Sequence, residues 1–327
     1  MQPPPCLATP AHACLPPASL GLHHGADAGA SAGPLAAGRA GALGETRAAE
    51  RAFCARTARH AVASLYAELA LYPKPGLVSL VDSGSHTDMD AATFVRSLFA
   101  LRHYFKRICQ AGIDNAPFPT LKRLGMAAER RMLLATNGVN THRGAIFSLG
   151  LLCAAAGRAH ALGGAISAQA LQAHLLIAWG EQLAAHTGPV PAQSHGQVAA
   201  LAHGASGARE EGALGLPSVF NIGLFALRRT LASGRSMRHA RIDALFALMT
   251  HISDTNVVHR GGPQGAAIVR GEAQCFIDAG GSAADGWEAH ALGIHRSFVE
   301  RRLSPGGAAD LLAASCLVHA LTRDHAR

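Results

Sequence analysis

Aromatic residues make up only 5% of the 327-residue chain, against 36 glycines and abundant alanine. β-Strands draw on aromatic and β-branched side chains, so this shortage points away from a sheet and toward helices that approach one another through small residues. No stretch of four to eight residues alternates apolar and polar positions between hairpin turns, and no internal repeat is evident. The seven cysteines (Cys6, Cys14, Cys54, Cys109, Cys153, Cys275 and Cys316) are odd in number and form no CxxC pair. That spacing excludes a zinc framework and a secreted disulfide lattice, and points to a reducing, cytoplasmic setting. The Pro-rich first residues lack the basic start and apolar segment of a signal peptide. The longest uncharged apolar stretch, Gly144 to Gly157, falls short of the ~20 residues that cross a bilayer and reads as a buried helix. No membrane partner is expected.

A long basic run is also missing. The formal charge is +8, from 29 Lys and Arg against 21 Asp and Glu. The cations come singly or in short clusters, such as Lys122-Arg123, Arg130-Arg131 and Arg228-Arg229, without the basic-aromatic stripe that single-strand binding uses. Nucleic acid is therefore the poorest fit, and a small anionic partner suits the charge better.

What is present is hydrophobic periodicity at helical spacing. Residues 1–44, dominated by Pro, Ala, Gly, His and Ser, show no stable period and are expected to form a disordered or low-complexity extension. Folded structure is expected from Glu45, where Ala49, Phe53, Ala58, Ala61, Leu65 and Leu69 share a helical face, until Pro73 and Pro75 stop it. Further helices are expected at Ala91–Gln110, Thr120–Leu134 with a break at Gly125, Gly144–Ala159, Ser167–His186, within Gln193–Pro217, and at Ser218–Leu231, Met237–Ile252, Gly262–Gly280, Gly286–Leu303 and Pro305–Thr322. The fold expected over residues 45–327 is all-α, a single multi-helix domain whose polar inter-helix loops form a phosphate and metal site.

Those loops carry more chemistry than connectors need. In Tyr72-Pro73-Lys74-Pro75-Gly76 two prolines hold Lys74 in a stiff segment, which limits the entropy lost when its ammonium meets an anion. His86, Asp88 and Asp90 alternate, so an extended backbone would place them on one side and offer carboxylates to Mg²⁺; equally, Asp88 or Asp90 is placed to cap the helix at Ala91. In Asn137–Gly144, Thr141 is placed to cap the following helix, whose free N–H groups suit a phosphate, while Arg143 adds a planar fork and His142 a titratable donor. Arg209 sits between Gly207 and a Glu pair. Asp254-Thr255-Asn256 is followed by Arg260 and two glycines, for which an Asp254–Arg260 ion pair is the simple structural account. Ser304-Pro305-Gly306-Gly307 starts a helix with Pro at its first position. The two glycines cost roughly 1 kcal/mol each in helix propensity and bare the amides, as anion binding requires.

Taken together, Pro73–Val78, Gly84–Asp90, Asn140–Gly150, Asp254–Asn256 and Ser304–Leu312 resemble the triphosphoribosyl-dephospho-CoA synthase family, in order, from about Ala48 to Leu321. Gly112–Pro117 and Ala135–Asn140 are similar to its malonate decarboxylase branch. The resemblance implies an enzyme that joins ATP to 3′-dephospho-CoA, giving 2′-(5″-triphosphoribosyl)-3′-dephospho-CoA and adenine. It implies also that the product reaches an acyl-carrier protein through a separate transferase. Such a reaction needs donors and Mg²⁺ for the phosphates, a proton donor for the leaving base, and a base for the attacking 2′-hydroxyl.

On that reading Lys74, Asn140, Thr141, Arg143, Arg209, Arg260, Ser304, Gly306 and Gly307 are the phosphate and nucleotide-binding candidates. Asp88, Asp90 and Asp254 are the Mg²⁺ candidates, and His86, His142 and Asp90 the catalytic ones. Asp82 and Asp310 are further acids among which the metal ligands are not distinguished. Two other functions fit the same residues: an all-helical Mg²⁺-dependent hydrolase of ADP-ribosyl or nucleotide substrates, and a non-enzymatic helical adaptor that binds an acyl-carrier protein.

Overall fold

The apolar face that begins at Ala49 becomes the buried side of helix α1 (Pro34–Leu69), with Phe53, Cys54, Ala61, Leu65 and Leu69 almost wholly out of solvent. The computed structural model describes residues 34–185 and 208–324. Two compact units divide the chain, Met1–Glu45 and Thr46–Arg327; in the first, the described residues are helical from Pro34. Helix α1 thus begins earlier than the Glu45 start expected from periodicity, since Ala, Leu and Arg favour a helix even without an apolar stripe. Residues 1–33, and the helices expected in 193–207, lie outside the described residues.

The second unit continues with α2 (Ala91–Ile113), α3 (Phe118–Ala135), α4 (Arg143–Ala161), α5 (Ala168–Ala185) and α6 (Ala208–Ala213). A π-helical turn (Ser218–Gly223) leads into α7 (Leu224–Ala232), followed by α8 (Met237–His251), α9 (Thr255–Asp278), α10 (Trp287–Glu300) and α11 (Gly306–Asp324). Among the described residues there is no strand. The architecture is all-α, as expected.

Helix α4 lies in the middle, packed against α2, α3, α5 and α11. It is apolar on every side because every side meets another helix. Residues 149–157 are all buried. Its closest neighbour is α2, and the small residues explain how close: a side chain on Gly112 would run into the backbone of Ala154, and one on Gly157 into the carbonyl of Cys109. Helix axes separated by ordinary side chains stand 8–10 Å apart; two reciprocal glycines let these backbones touch.

Two expected boundaries change. Helix α3 runs through Gly125 without a break, and a Cβ there would meet only the Tyr104 hydroxyl at ordinary distance (3.7 Å). The segment after Asp254 is helical from Thr255, so Arg260 projects from a helix rather than a loop. The expected start at Gly262 survives as a kink: Gly262 takes φ 61° and ψ −164°, and Pro263 restarts the helix.

Candidate active site

The segment between α1 and α2 is folded back onto the turn between α10 and α11. Gly76 has φ 67°, and a β-carbon on it would collide with the Leu303 carbonyl, so only glycine serves there. The Ser85 hydroxyl lies 2.6 Å from the Leu303 carbonyl oxygen and donates to it. His295, on the buried face of α10, places Nδ1 3.0 Å from the Lys74 carbonyl and Nε2 3.4 Å from the Asp82 carboxylate. These contacts set the position of His86, whose Nε2 is 2.8 Å from the Ser304 hydroxyl. Arg260 donates to His86 Nδ1 (3.1 Å) and to the Ser85 carbonyl (3.1 Å). With Nδ1 accepting, the proton sits on Nε2 and faces Ser304. Burial, with the Arg260 charge, holds the His86 pKa below its ordinary value and keeps the ring neutral. The exposed Asp88 carboxylate stands 3.5 Å from the same Nδ1.

Beneath this surface layer is a buried group of charges. The Lys74 ammonium, 1% exposed, pairs with Glu68 at 2.5 Å. Burial pulls the Lys74 pKa down in spite of the partner. Asp310, on the first turns of α11, feels both Glu68 and Asp254; burial first and these two carboxylates second push its pKa well above the usual carboxylate range. Burial likewise raises Asp254. Burial thus favours the protonated form of Asp310 and Asp254 and the neutral form of Lys74, a pattern found where acid–base chemistry is done. Glu68 was missed by sequence reasoning, although it carried a signal: it falls on the buried face of α1, beside Leu65 and Leu69, where a charge has no structural use without a partner.

The two helix starts expected to receive phosphate are instead occupied by these acids. At α11 the Ser304 hydroxyl faces His86, and Asp254 provides the cap: one oxygen accepts from Ala308 N–H (3.1 Å), the other from Asn256 N–H (2.9 Å) at the start of α9. One carboxylate thus ties two helix starts together, and no Asp254–Arg260 ion pair forms. At α4 the Asp310 carboxylate accepts from Ala145 N–H and lies against Gly144. Thr141 does not cap α4: its hydroxyl donates to Ser97 (2.8 Å), which in turn meets His142 Nδ1 at 2.7 Å. Asn140 accepts the Arg143 N–H at 3.1 Å.

His142 is 2% exposed, and its Nε2 has no hydrogen-bond partner among the described residues. Burial, reinforced by the nearby Lys74 charge, drives its pKa down to about 3. It is a neutral imidazole at any working pH. Arg143 is half-exposed and paired with Glu129 at 2.5 Å.

The structure therefore draws Lys74, His86, Ser304, Arg260, Asp254, Gly306 and Gly307 into one contact network, with His142 coupled through Lys74. Asn140, Thr141 and Arg143 frame the same α4 start. Among the described residues, no hydrogen bond or ion pair joins Arg209 to them; it is half-buried on α6, which packs on α4 and α5. The expected metal set is not gathered. Asp90 turns away to cap α2, accepting from Thr93 N–H (2.8 Å) and its hydroxyl (2.7 Å), while both Asp254 oxygens are engaged by backbone N–H groups. Among the described residues no three His, Cys, Asp or Glu side chains are arranged to hold a metal ion. A protein-only cage is absent there, but Mg²⁺ that arrives on a polyphosphate takes most of its oxygens from phosphate and water and only one or two from carboxylates. The single exposed Asp88 fits that second mode.

Comparison with known proteins agrees with the layout of these motifs. Residues 54–327 match the family described as ATP:dephospho-CoA triphosphoribosyl transferase. A protein of Acinetobacter calcoaceticus named probable 2-(5''-triphosphoribosyl)-3'-dephosphocoenzyme-A synthase is 38% identical over 252 residues, 77% of this chain and 86% of that protein. The protein of Pectobacterium atrosepticum named 2-(5''-triphosphoribosyl)-3'-dephosphocoenzyme-A synthase is 38% identical over 269 residues, 78% of this chain and 86% of its own length. A probable synthase of the same name from Albidiferax ferrireducens is 39% identical over 264 residues, 79% of this chain and 87% of the relative. No solved structure matches.

Proposed function

The chain belongs to the ATP:dephospho-CoA triphosphoribosyl transferase family, and from that premise we propose how its residues perform the transfer. The 2′-hydroxyl of 3′-dephospho-CoA attacks the anomeric carbon of the ATP ribose. The carbon–N9 bond to adenine breaks, the hydroxyl proton passes to a base on the protein, and adenine leaves with a proton from an acid. The triphosphate stays on the transferred sugar.

The observation that carries this reading is the meeting of a neutral imidazole and a proton-retaining carboxyl in one network, His86 on the surface layer and Asp310 below it. His86 is the base: its low pKa keeps it unprotonated, Ser304 fixes its ring, and its Nδ1 lone pair is freed to take the proton when Arg260 turns to the phosphate oxygens. Asp310 is the acid, since burial first, and then Glu68 and Asp254, hold its proton in place. A group pair whose environments push the two pKa values toward their roles is how one site runs both steps near neutral pH. Arg260 and Arg143 hold phosphate oxygens. Lys74, buried against Glu68, holds that carboxylate in place rather than touching substrate. Asp88 would hold Mg²⁺ on the triphosphate, and the ion's charge offsets that of the phosphates.

The product is the prosthetic-group precursor of the malonate decarboxylase acyl-carrier subunit, delivered by a separate transferase in the cytoplasm. The support is the similarity of Gly112–Pro117 and Ala135–Asn140 to that branch. Incubation with ATP, Mg²⁺ and 3′-dephospho-CoA should yield the adduct and free adenine by mass; adenine without adduct would mean hydrolysis. Loss of the gene should leave the host's malonate decarboxylase carrier at its unmodified mass, and a fully modified carrier would remove the assignment to that pathway.

A further inference from the structure

A cavity of about 300 Å³ lies between α1, α7, α8 and α11. It opens on the C-terminal half of α11, whereas Asp310 lies near the start; His319 is nine residues further on, roughly 13 Å along the helix axis. Three polar atoms at this cavity have no partner among the described residues: both ring nitrogens of His319 and Nε of Arg241, all buried. Buried polar atoms in folded proteins are nearly always paired, by protein or by something bound, so three orphans on two residues that line one space call for an occupant.

The charge around the space says what kind. Arg241 and Arg323 line it, and their charges, with that of Arg228, add to burial in holding His319 neutral. A neutral imidazole keeps one donor and one acceptor nitrogen. Among the described residues one carboxylate lines the space, that of Asp324, and it is taken up by His60 at 2.6 Å. The Cys316 thiol on the floor is in contact with the Arg241 guanidinium. The apolar side chains of Leu227 and Met237 and several alanines also line the space. Water fills polar cavities readily but brings no charge. A monocarboxylate would leave one of the two lining arginines without a counter-charge, while a phosphate monoester carries close to two negative charges and three oxygens that accept from guanidinium forks.

We propose that this cavity is a binding site for a small phosphate monoester, whose phosphate meets Arg241, Arg323 and His319 and whose organic part lies on Leu227 and Met237. The site is separate from the transferase centre and does not depend on the reading given above. At about 300 Å³ it stands at the small end of ligand pockets, which run from ~300 to 1,000 Å³.

The test follows the His319 ring by NMR in protein carrying labelled histidine, with the resonance assigned from His319→Gln. Titration with glycerol 3-phosphate should move the His319 signals saturably, inorganic phosphate should do so more weakly, and acetate weakest. In Arg241→Gln and in Arg323→Gln the apparent Kd should rise roughly tenfold or more, as expected for loss of a charge-assisted hydrogen bond. Arg323 is exposed, so its variant keeps the proposal testable should Arg241→Gln fail to fold. Unmoved His319 signals, equal response to acetate, or unchanged affinity in Arg323→Gln would each overturn the site in favour of a water-filled cavity. Adenine release by Arg323→Gln should match wild type. If no variant or wild-type protein released adenine, the transferase reading would fail while the phosphate titration stood.

Discussion

The Asp310 carboxylate occupies the space that a β-carbon on Gly144 would need. The contact makes residue 144 a rest for the acid, and it explains why glycine is found at the first turn of α4, where Ala would be the better helix former. Gly144→Ala should displace Asp310 and lower adenine release by at least ~100-fold, the lower range of general-acid contributions. Far-UV circular dichroism should stay unchanged. Activity within a factor of two of wild type would show that the position of Asp310 is immaterial.

Asp310 must be protonated to act, so activity should fall as pH rises through its elevated pKa. Asp310→Asn keeps the shape and removes the proton. A kcat loss of roughly 10²–10⁴-fold is expected, and the alkaline limb of the pH–rate profile should vanish with it. A lower rate with that limb intact would assign Asp310 a structural role only.

His86 acts unprotonated, so activity should fall as pH drops through its pKa. Burial and the Arg260 charge hold that pKa down. In Arg260→Gln the charge is gone, so the acid limb of kcat/KM should move to higher pH, in addition to a rise in KM for ATP from the lost phosphate contact. An acid limb at the wild-type position would detach His86 from the profile.

Lys74 and Glu68 are a buried pair, and removing one partner strands the other. Lys74→Met should destabilise the fold by about 3–5 kcal/mol, while the double variant Lys74→Met/Glu68→Gln should recover most of it. Urea unfolding gives both numbers. Equal stability of Lys74→Met and wild type would mean the ammonium is not held as described.

His142 takes its proton at pH 6.5 when unfolded and near 3 when folded. The unfolded chain binds that proton first, so the contribution is complete above pH 6.5 and is lost as pH falls toward 3. At pH 4.5 the loss is about 3 kcal/mol. Asp254 and Asp310, whose pKa values are raised, act in the opposite direction, so wild type is best compared with His142→Gln at each pH. The variant should lose less stability between pH 7 and 4.5; an identical loss would place the acid sensitivity elsewhere.

The helices and polar loops were legible in the sequence because each is written locally: Pro73 and Pro75 after Leu69, glycine at residue 76, the apolar stretch after Gly144. What was not legible is who fills the helix starts. Ser304 and Thr141 satisfy every local rule for a cap, yet Asp254 and Asp310 take those places from distant parts of the chain, and a local pattern holds no information about such partners. The same reason hid the role of Lys74. Its prolines pointed to a stiff segment around Lys74, while its burial against Glu68 depends on how α1 meets the loop that follows it. Asp90 was legible as a cap, and it was the metal reading that competed with it.

The two glycine contacts between α2 and α4 divide the protein mechanically. With backbone against backbone at Gly112 and Gly157, neither helix slides or rolls past the other without steric overlap of main-chain atoms, so the pair behaves as a stator. Any rearrangement that lets two bulky nucleotides in and a long adduct out is left to the parts mounted around it, the clamp of residues 72–90 and the Gly262 kink.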